Sequence, residues 1–154
     1  MSEPGLNSDG PNSMGAASSL GGRFVALRLH AEGGLGRVSL ALDQELHREV
    51  ALKEIKDRFA DDESSRARFI REAEITGGLE HPGIVPVYGM GVQADGRPFY
   101  AMRMIRGDSL KTAIDAHHNA HARRRNSEQA VELRKLLRRF VDVCEAIEYA
   151  HSRG

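Results

Sequence analysis

From Arg23 onward the chain alternates. Val25, Leu27 and Leu29 are separated by Ala26 and Arg28, a period of two that predicts a half-buried strand. After Gly33-Gly34-Leu35-Gly36 the same alternation returns in Val38, Leu40 and Leu42, so two strands joined by a glycine turn predict a β-hairpin. Asp43 to His47 is polar and turn-like. A third strand, Glu49 to Ile55, carries Val50, Leu52 and Ile55 around Lys53. The period then changes. Asp61, Asp62 and Glu63 supply first-turn negative charge, and Ser64 is a candidate cap for a helix running to about Thr76, ended by Gly77-Gly78. His81-Pro82-Gly83 predicts a loop and Ile84 to Met90 a short apolar strand. Pro86 within that strand lacks a backbone donor, which puts it at a sheet edge. Asp95-Gly96 turns the chain into a fifth strand, Phe99 to Ile105. Two helical stretches follow, Ser109 to about His117 and Glu132 to about His151, with a polar insertion at about 118–129. Five strands with a helix between the third and fourth describe an α+β lobe trailed by two helices.

Composition narrows the classes of function. Met1 to Gly22 is rich in Gly, Ser, Asn and Pro, with only Leu6, Met14 and Leu20 as larger apolar residues, and is expected to be a disordered tail. It lacks the basic and apolar regions of a signal peptide. Lys plus Arg and Asp plus Glu each total 22, so the formal net charge is zero. That balance gives no argument for nucleic acid or an anionic membrane as partner. The single cysteine, Cys144, excludes an internal disulfide framework and fits a reducing cytoplasm. No run of about 18 apolar residues occurs, so the chain is expected to be soluble and intracellular.

Any attraction to phosphate must therefore be local. In Glu32-Gly33-Gly34-Leu35-Gly36-Arg37-Val38 the missing Cβ atoms let backbone N–H groups approach phosphate oxygens. A glycine turn alone is equally a plain hairpin. A dinucleotide-binding turn or a P-loop must open a helix, whereas this one opens a strand and has no Gly-Lys-Ser/Thr. Lys53, in Val50-Ala51-Leu52-Lys53, lies one strand later. A lysine in an apolar strand is ordinarily a solvated outward residue. Glu72, in Phe69-Ile70-Arg71-Glu72-Ala73-Glu74, is a candidate counter-charge on the predicted helix, with Glu74 as its rival.

Taken in order, these segments resemble the catalytic domain of bacterial eukaryotic-like Ser/Thr protein kinases. The resemblance covers Arg23 to Gly154. It rests on the glycine turn with Val38, Val-Ala-Leu-Lys, Arg-Glu-Ala, Glu-His-Pro-Gly-Ile-Val-Pro-Val-Tyr, and Tyr-Ala-Met-Arg-Met-Ile-Arg-Gly-Asp-Ser-Leu. It implies a kinase-like N-lobe over 23–107, with a five-stranded antiparallel sheet and one helix, and the first helices of a C-lobe over 108–154. It also implies ATP with Mg2+ as cofactors and protein Ser or Thr as substrate. Gly33, Gly34 and Gly36 would then lie over the phosphates. Lys53 would hold the α- and β-phosphates, oriented by Glu72, which stands nine residues before His81 at the family spacing. Val38 and Ala51 would pack on the adenine with Val85 behind them. Met102 falls at the gatekeeper position, and the Arg103 carbonyl and Ile105 N–H would read the adenine edge. Gly107 marks the turn into the next helix, and Asp108 or Ser109 would approach the ribose.

The sequence departs from the family at several points. Ala31 replaces the first glycine, His30 a branched aliphatic, Leu35 the aromatic at the loop tip, and Arg103 is unusual in the hinge. The last helix carries Leu133, Leu137, Phe140, Cys144 and Ile147 as an apolar stripe suited to burial or self-association, with Cys144 expected as a small core residue. His-Ser-Arg-Gly would be followed in the family by the catalytic His-Arg-Asp, so the Mg2+ ligands and catalytic aspartate are expected downstream, and these residues alone are expected to lack phosphotransferase activity. The alternatives are a non-catalytic nucleotide-binding or kinase-docking module and a product without function. His117, His118 and His121 lack a nearby cysteine or carboxylate pair for a metal, and Arg123-Arg124-Arg125 is expected as a solvated loop.

Overall fold

A computed structural model describes residues 19–20, 22–120 and 126–154. Its elements are β1 (Ser19–Leu20), β2 (Phe24–Glu32), β3 (Gly36–Asp43), β4 (Arg48–Ile55), α1 (Asp57–Ala60), α2 (Glu63–Gly77), β5 (Val87–Val92), β6 (Pro98–Arg103), α3 (Leu110–Ala120) and α4 (Asn126–Ser152). The five long strands form the expected antiparallel sheet, and the two-residue β1 adds a sixth strand beside β2. The order is β1-β2-β3-β4-β6-β5.

The central strand β4 sorts the core by alternation. Val50 and Leu52 join Phe24, Ala41, Phe99 and Ala101 on one face of the sheet. Ile55 joins Tyr100 on the other face, where α2 lays down Phe69 and Ala73. Ser65, Phe69 and Ala73 are the buried residues of α2, at steps of four, so one narrow stripe docks the helix and leaves its flanks free for chemistry. The β3–β4 turn is tied by Asp43, which is fully buried and accepts two hydrogen bonds from Arg23, both at 3.0 Å. Arg23, together with the Leu46 N–H and Arg48, outweighs burial and holds the Asp43 carboxyl down at about 2.

Several boundaries differ from the sequence reading, each for a local reason. Asp62 rather than Ser64 caps α2, accepting from Ser65 N at 2.8 Å, because a carboxylate two residues earlier reaches the open first turn. β5 starts at Val87, so Ile84, Val85 and Pro86 are not strand as expected. The Ile84 N–H is spent in a turn on His81 O, and Pro86 has no N–H to give. Pro86 still meets the sheet through its carbonyl, which accepts from Arg103 N at 3.1 Å. β5 lies at the sheet edge. β6 ends at Arg103, two residues short of the expected Ile105. Helices α3 and α4 both run into the stretch read as an insertion, while His121 and Arg123-Arg124-Arg125 lie outside the described residues.

Helices α3 and α4 pack on each other, and the end of α4 meets the loop after α2. There Tyr149 stacks on His81 with centroids 5.2 Å apart, and its hydroxyl accepts from Glu80 N at 3.2 Å. Gly83 lets the two elements approach closely here, since a Cβ there would stand 3.1 Å from Ala146 Cβ. The junction fixes α4 against the lobe that carries the candidate site.

Candidate functional site

The site begins with register. In the sheet Lys53 of β4 pairs with Val38 of β3 on one side and with Tyr100 of β6 on the other. Directly paired residues share a face, so all three face α2. Glu72 reaches that face from α2, three residues past the buried Phe69, one helical turn along. Lys53 Nζ donates to Glu72 Oε1. The Tyr100 hydroxyl donates to the same oxygen at 2.8 Å. Partial burial opposes charge on Glu72, but the hydrogen bonds from Lys53 and Tyr100 outweigh it and hold the carboxyl below its ordinary range. The rival Glu74 is exposed and makes no such contact with Lys53.

The glycine turn folds over the row just described. Gly33 N donates to Gly36 O at 2.8 Å, closing the loop, and Leu35 O accepts from Lys56 N at 3.1 Å. Glu32 forms an ion pair with Lys56 at 3.1 Å, and Leu35 packs against the buried cluster between α2 and the sheet. The three glycines serve different ends. A Cβ on Gly36 would lie 2.9 Å from Glu54 O, 3.2 Å from Lys53 Cε and 3.3 Å from a Phe69 ring carbon. Gly36 is therefore fixed by packing. A Cβ on Gly34 would meet nothing within 4 Å, and one on Gly33 only Gly36 O at 3.6 Å. Those two glycines leave open space above exposed backbone, which is the shape a phosphate group requires.

The remaining predicted contacts fall into two groups. Val38, Ala51 and Met102 lie on the same face as Lys53, with Ala51 paired to Met102 in the neighbouring row. Met102 is half-buried and packs on the α2 cluster. Val85 is half-buried in the loop before β5 rather than on a strand. Its strand neighbour in position is Val87, which pairs with Met102. Arg103 closes β6, and Ile105 follows it, 57% exposed with no side-chain burial to specify its orientation. Gly107 has φ +113°, so this turn does need glycine. Ser109 is engaged as a helix cap, with its Oγ accepting from Thr112 N at 3.1 Å, while Asp108 is exposed.

Two contributors escaped the sequence reading. Tyr100 looked like one more apolar residue of a strand. Its signal was the period of two, which sets Tyr100 and Met102 on one face, but not that this face is the one Lys53 shares. The Glu32–Lys56 pair left no signal, because both residues read as ordinary surface charges.

Among the described residues no group of three His, Cys, Asp or Glu side chains could hold a metal ion. His117 and His118 stand with ring centroids 5.9 Å apart. Cys144 is exposed rather than in a core, as are Leu133, Leu137, Phe140 and Ile147 of the same stripe, because α3 and the loop after α2 cover other parts of α4. No helix among the described residues is long and apolar enough to cross a membrane.

The chain is similar to known proteins along most of its length. The family described as protein kinase domain matches residues 26–154. A serine/threonine-protein kinase PknD of Chlamydia muridarum is 38% identical over 133 residues, covering 86% of this chain and 14% of the relative. The PknD of Chlamydia pneumoniae is 36% identical over 132 residues, again 86% of this chain and 14% of the relative. The chain thus spans about one seventh of the length of these curated relatives. The crystal structure of the Mycobacterium tuberculosis PknI kinase domain superposes with TM-score 0.62 at 27% identity, over 91% of this chain and 52% of that one.

Proposed function

The chain belongs to the protein kinase domain family, among bacterial eukaryotic-like serine/threonine kinases, and from that premise we propose that residues 23–107 hold ATP for phosphoryl transfer to protein Ser or Thr. The observation that carries this is the Lys53–Glu72 pair lying under a glycine loop whose Gly33 and Gly34 leave room for phosphate. Lys53 neutralises the α- and β-phosphates, and Glu72 keeps its ammonium aimed there. Val38, Ala51 and Met102 form the apolar walls for the adenine, with Val85 at the back. The Arg103 carbonyl and Ile105 N–H supply its polar edge. Because the Ser109 hydroxyl is occupied as a cap, Asp108 is the residue for the ribose. Mg2+ would arrive on the phosphates of the nucleotide.

Phosphoryl transfer also needs a base and metal ligands, and the part proposed for residues 23–107 is to bind and orient the nucleotide. A cytoplasmic setting, where ATP is abundant, fits that role. The exposed stripe of α4 supports association of the chain with itself at raised concentration. The test is calorimetric titration of the chain with MgATP, beside Lys53→Met, with radiolabelled ATP and a generic protein acceptor as a second arm. Saturable binding lost in Lys53→Met is expected. Binding without transfer assigns a nucleotide-binding module, and equal binding by both proteins overturns the site.

A further inference from the structure

We infer that Tyr100 is a positioning residue of this site: its hydroxyl fixes the Glu72 carboxylate so that Lys53 is already held when nucleotide arrives. The inference rests on the reading of Lys53 and Glu72 as the nucleotide-aligning pair. Tyr100 is 3% exposed and packs among Ile55, Phe69 and Ala73, tilted against the Phe69 ring with centroids 5.3 Å apart. Phenylalanine would fill that place without bringing in a hydroxyl that must find a partner. The hydroxyl has one, Glu72 Oε1 at 2.8 Å.

The arrangement matters because the other two members are flexible. Lys53 and Glu72 end long side chains, and Glu72 is 46% exposed, so the pair alone resembles a surface ion pair of small worth. Tyr100 carries its donor on a rigid, packed ring, which makes it the fixed point of the three. Its ring also flanks the ammonium, with Lys53 Nζ 5.5 Å from the centroid. Burial first, and then the neighbouring carboxylate, push the phenol well above its ordinary value, so it remains a donor at any working pH. When Lys53 turns toward phosphate, the carboxylate keeps a hydrogen bond from Tyr100 and is not left bare. Among the described residues, Lys53 from β4 and Tyr100 from β6 are the titratable groups that reach Glu72.

The first readout needs no nucleotide. The side-chain carboxyl 13C shift of Glu72 is followed against pH in the full chain and in Tyr100→Phe, which keeps the ring and removes only the oxygen. The Glu72 midpoint is expected to rise in the variant, and an unchanged midpoint overturns the inference. The second is affinity for a fluorescent N-methylanthraniloyl ATP, expected to be about fivefold weaker in Tyr100→Phe. In a Glu72→Gln background the same change should have no further effect, and an equal loss there would mean that Tyr100 acts by another route. Lys53→Met separates the two ideas. If it binds the probe as the parent does, the nucleotide site itself fails. If it loses binding while Tyr100→Phe matches the parent in both readouts, only the role of Tyr100 fails.

Discussion

Tyr100 and Lys53 stand opposite each other on adjacent strands and donate to one and the same oxygen, Glu72 Oε1. A strand pair thereby becomes a three-element clamp, because the acceptor comes from α2 and ties the helix to the sheet.

Removing the ammonium should separate binding from stability. Lys53→Met is expected to lower nucleotide affinity about tenfold or more, through loss of a charge-assisted contact to phosphate. Stability should change by less than about 1 kcal/mol, because the half-exposed Glu72 can turn to water. Calorimetric titration and urea melts of the same preparation check both halves.

The glycine loop offers a paired comparison. Gly36→Ala forces a Cβ to within 2.9 Å of the Glu54 carbonyl and should cost about 1–3 kcal/mol of stability. Gly34→Ala meets nothing within 4 Å and should leave stability within about 0.5 kcal/mol, while weakening nucleotide binding by crowding the phosphate space. Thermal melts with and without MgATP distinguish the two. Equal melts for both variants would contradict the packing role of Gly36.

The helix is held to the sheet mainly by one ring. Phe69 is fully buried between Ile55 and Tyr100. Phe69→Ala should cost about 3–5 kcal/mol, a large part of the stability of a small domain. Because Glu72 lies one turn further along α2, the variant should also lose nucleotide affinity under conditions where it is still folded. Urea denaturation followed by circular dichroism gives the first number.

Acid should unfold the chain in a defined window. Asp43 is held at about 2, chiefly by Arg23, against an ordinary carboxyl value of 3.8. A depressed carboxyl contributes stability that is fully present above the unfolded value and is lost as pH falls through the folded one. The melting temperature should therefore drop between about pH 4 and pH 2. Asp43→Asn should melt lower at neutral pH and show a shallower drop across that interval. Parallel slopes for the two proteins would remove Asp43 as the cause.

Cys144 provides a probe of α4. Its thiol is exposed beside Phe140 and Ile147, so a water-soluble disulfide reagent should label it in the native chain at the rate of a free thiol. If the chain associates through this stripe, labelling should slow as concentration rises. A rate that does not depend on concentration argues against that association.

What the sequence determined by itself is whatever repeats or is spaced along one dimension. Alternation located β2 and β3, apolar runs between turn signals located the other three long strands, and the glycines with Val-Ala-Leu-Lys marked the candidate site through their resemblance to kinases. The distance from Glu72 to His81 favoured Glu72 over Glu74 because it matches the spacing of the kinase family that the chain resembles. Composition could not assign the ends of elements. Asp62 took the cap from Ser64, and Pro86 delayed β5, because these depend on which single donor or acceptor is left open. The tertiary structure alone decided what meets across elements. Lys53 and Glu72 are 19 residues apart and Tyr100 lies 28 beyond Glu72, so their common oxygen depends on sheet register and on where Phe69 seats the helix. Neither quantity has a period in the sequence. The same reason hid the Glu32–Lys56 contact, since two surface charges become a latch only when the hairpin folds one over the other.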